Sequence, residues 1–180
     1  MFDSYLNYGS IGEIIGHEIT HGFDGIGKQF DKDGQLRNWW DPSTAKQFEE
    51  KASCIVEQYN RFNITQIEMN VNGINTQDEN IADNGGVALA YAAYKKYRPL
   101  MESTLPGLSY TTEQLFWISY GLENCEKMTN EAMKLTVEID THSPGRFRLN
   151  GVVSNSKDFA RDFNCPIDSP MNPKVKCKIW

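Results

Sequence analysis

His17-Glu18-Ile19-Thr20-His21 decides the reading of this chain, together with the longer run that holds it, Gly9-Ser10-Ile11-Gly12-Glu13-Ile14-Ile15-Gly16 before it and Gly22-Phe23-Asp24 after. The pentad is H-E-x-x-H. On a helix, residues four apart stand one above the other, so both imidazoles project from one face. Two neutral ring nitrogens can then reach a single zinc ion at ~2.0–2.1 Å. Glu18, one position after the first histidine, comes within reach of a water polarised by that ion. A general base beside a Lewis acid is what hydrolysis of an unactivated amide requires.

The flanking residues predict a helix over 10–22. Ile11, Ile14, Ile15 and Ile19 make an apolar stripe at helical spacing, expected beside the two histidines. Ser10 is the expected N-cap, with Glu13 three residues later completing a capping box. Gly22 and Gly25 supply the stop.

A catalytic zinc site takes three protein ligands and leaves the fourth position to water. The chain holds 3 His, so beyond the pentad there is His142 alone, and a carboxylate is the better third ligand. The segment Asp78-Glu79-Asn80-Ile81-Ala82-Asp83-Asn84-Gly85-Gly86 offers Glu79 and Asp83, four apart on one helix face. Glu79 is the candidate ligand. Asp83 is the candidate to accept the spare ring N–H of a ligand histidine and fix its tautomer. The residues alone leave a second reading open, because acids in the first turn of a helix are favoured by its dipole without any metal. His142, beside the Ser143-Pro144-Gly145 turn, and Arg148 read by themselves as solvated groups.

Composition excludes several classes. The chain has 180 residues, a net charge of −6 and no basic run, so it carries no electrostatic footprint for nucleic acid. Apolar residues make up 39% and aromatics 12%, enough for a sizeable core. No apolar stretch approaches the ~20 residues that span a bilayer, and no cleavable signal follows Met1. Phe2-Asp3 reads as the middle of a longer sequence. The four cysteines, Cys54, Cys125, Cys165 and Cys177, include no C-x-x-C pair, which argues against a second zinc site and leaves three pairings open. Asn63-Ile64-Thr65 is a glycosylation sequon at Asn63.

Further helices are predicted at 42–60, 78–97, 111–132 and 155–163. Pro42 opens the first of these, whose apolar face is Phe48, Ala52, Ile55, Val56 and Tyr59. Arg98-Pro99 stops the next, and Thr111 or Thr112 caps the one after. Residues 26–40, with Gly34 and Trp39-Trp40, suggest a short turn or ribbon. The class is mainly helical with little β-sheet.

The run Gly9–Asp24 resembles the neprilysin and endothelin-converting-enzyme family of zinc metallopeptidases. So do Asn72-Gly73-Ile74-Asn75-Thr76 leading into Glu79–Gly86, Asp140-x-His142-Ser143-Pro144-Gly145-x-Phe147-Arg148, and the ending Met171-Asn172-Pro173 to Cys177-x-x-Trp180. Order and spacing match from about Tyr8 to Trp180. The resemblance implies a zincin-type, thermolysin-like helical catalytic domain, with residues 1–180 as its C-terminal portion. It assigns one Zn2+ to His17, His21 and Glu79, the general base to Glu18, and orientation of a ligand histidine to Asp83. His142 would donate to the developing oxyanion, and Arg148 would bind a substrate backbone carbonyl. Cleavage of short oligopeptides on the amino side of hydrophobic residues is implied. The family pattern pairs Cys54 with Cys177 and sends Cys125 and Cys165 to cysteines upstream. It places the N-terminal domain, a substrate-pairing edge strand and a membrane anchor outside this chain, and the whole in an extracellular or cell-surface ectodomain. The chain departs from the family after its fourth helix, where Asn124-Cys125-Glu126-Lys127-Met128 lacks the usual Arg-Pro step. Two functions follow: a zinc endopeptidase, or a zinc-bound ectodomain that binds without catalysis because upstream segments are missing.

Overall fold

The computed structural model describes residues 3–98 and 103–180. The described residues are mainly helical: α1 (Ser4–Gly9), α2 (Ile11–Thr20), α3 (Pro42–Asn60), α4 (Gln77–Tyr97), α5 (Thr112–Glu123), α6 (Asn130–Ile139), α7 (Gly145–Asn155) and α8 (Lys157–Asp162). One antiparallel ribbon, β1 (Asn63–Ile64) with β2 (Met69–Asn70), is the sheet among them. None of these helices is long and apolar enough to cross a membrane.

Where a cap and an apolar face coincide, the expected element forms. Asp41 accepts from the N–H groups of Ser43 and Thr44 at the start of α3, with Pro42 in the first turn. Phe48, Ala52, Ile55 and Tyr59 are its buried face. α4 matches its expected span to within a residue, and Pro99, assigned as its stop, lies outside the described residues. Residues 30–36 fold back as a ribbon with a Phe30–Leu36 bridge, turned at Gly34, whose φ of 73° suits glycine.

Three expectations are corrected. The helix predicted over 111–132 is two helices, α5 and α6. Asn124 ends the first, its side-chain amide donating to the Tyr120 carbonyl, and Thr129 caps the second by accepting from the Ala132 N–H. The break falls on the segment that departs from the family pattern. The sequence also predicts neither α1, too short to show a period, nor α7. α7 starts directly at the Pro144-Gly145 turn, and its buried side includes Gly151 and Ser154 beside Phe147, Val152 and Val153, so no apolar stripe announces it. Only α8, capped by Ser156, answers to the predicted 155–163 helix.

The third correction concerns α2. Its capping box does not form, because the Ser10 hydroxyl donates to the Leu6 carbonyl instead, and Glu13 is buried. The isoleucine stripe faces outward, with Ile11, Ile14, Ile15 and Ile19 exposed by 54, 41, 54 and 57%. The buried face is Glu13, Gly16, His17 and Thr20. The reason is the closeness of α4. A Cβ on Gly16 would stand 2.5 Å from the Gly86 carbonyl oxygen, and one on Gly86 would stand 2.5 Å from the His17 nitrogen. Backbones this near require glycine at the point of contact, and the face of α2 that carries Gly16 is the polar one.

α4 joins two apolar clusters. Val87, Ala90, Tyr91 and Tyr94 pack with Tyr5, Phe116 and Tyr120 of the first. Ile81 packs with Phe48, Ile55, Tyr59, Phe147 and Ile179 of the second. A Cys54–Cys177 disulfide, Cα to Cα 5.6 Å, ties the C-terminal segment to α3, and Lys51 Nζ donates to the Ile179 carbonyl at 2.7 Å.

Candidate metal centre

The polar face of α2 and the N-terminal half of α4 meet, and the acids and histidines meet with them. His17 Nε2 and His21 Nε2 are 3.0 Å apart. Glu79 Oε2 lies 3.2 Å from the first and 3.4 Å from the second. Four-coordinate zinc with bonds of ~2.0–2.1 Å sets its ligand atoms ~3.3 Å apart. The triangle therefore has the size that a tetrahedral divalent ion demands. Glu79 Oε2 is buried and makes no hydrogen bond of acceptable geometry, although three imidazole nitrogens surround it. The residues fit zinc: two nitrogens and one carboxylate oxygen, with one side open.

Each histidine is held from behind. His17 Nδ1 is 2.8 Å from Asp83 Oδ1, and Asp83 is fully buried. Arg148 clamps the same carboxylate, Nε to Oδ2 at 2.9 Å and Nη2 to Oδ1 at 2.6 Å. Burial opposes charge on Asp83, yet hydrogen bonds from Arg148 and His17 outweigh it and hold the carboxyl below its ordinary range. Burial likewise opposes charge on His17, and the hydrogen bond to Asp83, with the Glu79 carboxylate close by, pushes its imidazole up to about 10. A metal ion must displace that proton, since it takes neutral imidazole.

His21 has a partner that the sequence reading assigned no role. Asp24, buried, approaches His21 Nδ1 at 2.6 Å through Oδ2, while its Oδ1 accepts from the Ile26 and Gly27 N–H groups at 2.9 and 2.7 Å. It does for the second histidine what Asp83 does for the first. The signal was its place three residues after His21, at the end of the quoted run.

Glu18 is exposed on α2, directly after His17. His142 reaches Glu79 from the loop between α6 and α7, with Nε2 3.0 Å from Glu79 Oε2 and Nδ1 3.0 Å from Asp140 Oδ1. A cleft of about 250 Å3 opens beside it, lined among others by Glu123, Glu126, Met128, His142 and Arg148. With two nitrogens of Arg148 held by Asp83, Nη1 remains without a hydrogen bond among the described residues. Glu13, expected at a helix cap, instead lies buried beneath the centre, in a cluster with His17 and Asp83. Burial, and then the charge of Asp83, push its carboxyl up to about 7.

The remaining assignments fall elsewhere. Asn63 is exposed on β1, its amide donating to Asn70 Oδ1 at 2.9 Å. Cys125 is exposed and Cys165 half-buried, both as free thiols.

Residues 1–179 match the model of peptidase family M13. The chain belongs to peptidase family M13. It is 52% identical to neprilysin-2 of Drosophila melanogaster over 178 residues, 98% of this chain and 23% of that protein. It is 46% identical to endothelin-converting enzyme 1 of Bos taurus, over 97% of this chain and 23% of that protein. Among solved structures, a zinc metalloprotease of Mycobacterium tuberculosis bound to an inhibitor superposes with a TM-score of 0.90 at 32% identity, covering 99% of this chain and 28% of that one. A Haemonchus galactose-containing glycoprotein complex superposes at 0.91 and 39% identity, covering the whole of this chain and 30% of that one. This M13 chain thus spans about a quarter of the length of its relatives.

Proposed function

We propose that this chain is the C-terminal catalytic portion of a zinc-dependent endopeptidase acting on oligopeptides. The observation that carries the reading is the triangle of His17 Nε2, His21 Nε2 and Glu79 Oε2, with edges of 3.0, 3.2 and 3.4 Å, with Glu18 exposed directly after His17. These three residues would hold one zinc ion per chain, which would supply Lewis acidity to the scissile carbonyl and to the attacking water.

Glu18 takes the proton from that water and passes it to the leaving amine, a role worth ~10²–10⁴-fold in rate. His142 donates a hydrogen bond to the oxyanion as it forms; a preplaced donor of this kind lowers the barrier by ~2.7–4 kcal/mol. Asp140, bonded to His142 Nδ1, leaves Nε2 to face the substrate. Asp83 and Asp24 orient the ligand histidines. Arg148 uses Nη1 for a substrate backbone carbonyl while its other nitrogens keep it fixed on Asp83. The preferred bond lies on the amino side of a hydrophobic residue. The Cys54–Cys177 disulfide and the exposed sequon at Asn63 support an extracellular or cell-surface setting.

The test uses the full-length protein loaded with zinc and a short peptide with an internal Phe or Leu. Glu18→Gln is expected to retain one zinc and to lose turnover by at least ~100-fold. Equal turnover by both proteins overturns the assignment of Glu18, and failure of the parent protein to retain zinc overturns the whole reading.

A further inference from the structure

His142 sits in a segment without regular structure and its side chain is 42% exposed, so packing does not fix it. Its neighbours are fixed. Ser143 is buried, and its hydroxyl donates to Asn80 Oδ1 at 2.8 Å. Asn80 is fully buried on α4, directly after the ligand Glu79. Its Nδ2 donates to Thr76 Oγ1 at 2.8 Å, and the Thr76 hydroxyl donates to the Asn72 carbonyl at 3.0 Å. The chain runs one way, from Ser143 through Asn80 and Thr76 to Asn72, so each hydroxyl and the amide have a single satisfied orientation. On the other side of His142, Asn75 Nδ2 donates to the Asp140 carbonyl at 2.7 Å. Asp140 Oδ1 in turn accepts from the His142 backbone N–H at 2.8 Å.

We infer that Asn80, acting through Ser143, is a positioning residue that sets the imidazole of His142 against the zinc ligand Glu79. Ligand and anchor are consecutive residues of one helix, so the distance from His142 Nε2 to Glu79 Oε2 is defined by α4 and not by the mobility of a loop. Asn75 is the second tie of the same device. The inference rests on the reading of His142 as the oxyanion donor. It differs from an ordinary buried polar network in a measurable way. A structural network, once cut, weakens the protein whatever His142 does; a positioning pair loses its effect once His142 is gone.

The experiment is a double-mutant cycle in the full-length zinc-loaded protein, with kcat, KM, zinc content and the His142 ring resonances as readouts. Ser143→Ala is expected to lower kcat ~10–100-fold with KM and zinc content little changed, and to shift the His142 ring signals. In a His142→Ala background the same substitution is expected to leave kcat where it was. Asn75→Ala, an exposed change that leaves the buried chain intact, is expected to act in the same direction with the same dependence on His142. An equal fold-loss from Ser143→Ala with and without His142, or no loss together with unmoved ring signals, overturns the inference. An unchanged kcat in His142→Ala by itself overturns the catalytic role proposed for His142. Positioning then stands or falls on whether Ser143→Ala moves the ring signals.

Discussion

Two helix contacts in this molecule are built on opposite principles. α3 meets the C-terminal segment through Phe48, Ile55 and Ile179, aromatic and aliphatic side chains at ordinary distances, with a disulfide across the joint. α2 meets α4 through Gly16, Gly86 and Gly85, with Thr20 against the last, and buries Glu13, His17 and Asp83 between them. The first contact places apolar residues inside and follows the rule by which buried faces are read. The second places them outside. The same contact gathers two imidazoles and a carboxylate within 3.4 Å, with the backbones meeting at Gly16 and Gly86. The first interface is apolar and cross-linked; the second holds the candidate metal ligands.

The largest effect is expected at the disulfide. Cys177→Ser opens a loop closed across 123 residues, and the chain-entropy estimate puts the loss near ~4–5 kcal/mol. Thermal melting checks the loss, and zinc titration of the folded variant is expected to give an unchanged affinity. A large fall in zinc affinity would break the division between the two interfaces.

Next in size is Glu13. Its carboxyl goes from an ordinary value of 4.5 to about 7 on folding, because burial and Asp83 disfavour its charge. The proton it retains stabilises the fold fully below pH 4.5, and that contribution is lost as pH rises through about 7. In the zinc-stripped protein, Glu13→Gln is therefore expected to match the parent near pH 4 and exceed it by up to about 3 kcal/mol at pH 8. Denaturant unfolding at the two pH values checks the sign, and equal stability difference at both would remove Glu13 from the buried cluster.

Gly86→Ala sharpens the contrast. The added methyl meets His17 backbone atoms at 2.5 and 2.8 Å, so the helices must separate. An overpacking cost of ~1–3 kcal/mol is expected, with zinc affinity falling ~10–100-fold as the second helix carries Glu79 and Asp83 away. Calorimetric zinc titration reads the latter; undiminished affinity would mean that the close approach does not set the site. The smallest effect is expected from Ile15→Ser, a change on the outward stripe that alters the stability of this chain by less than ~0.5 kcal/mol. A loss of several kcal/mol would show the stripe to be buried after all.

Much of the site was legible because its geometry is local. His17 and His21 share a face by helical spacing, and so do Glu79 and Asp83. Asp24 went unassigned because its function depends on a tight turn after α2, where two N–H groups hold one oxygen and turn the other to His21. Ser143 was read as part of a turn, which is true of its backbone; its hydroxyl finds Asn80 across 63 positions, a pairing with no local signature. Among the helices, α3 declared itself by its Asp41-Pro42 start and apolar face, and α4 by its apolar set and the Arg98-Pro99 stop. The division of 111–132 depended on Thr129 capping a new helix, a signal that the apolar run before it obscured.

What the sequence determined by itself was the set of chemical groups and the spacing that pairs them within each helix, because side-chain direction along a helix is fixed by backbone geometry over one turn. What the tertiary structure alone decided was which face of α2 turns inward, and with it the meeting of His17, His21 and Glu79. Periodicity marks an apolar face without saying what will cover it. Here the backbones touch at Gly16 and Gly86, and the face of α2 that carries Gly16 is the one that turns inward.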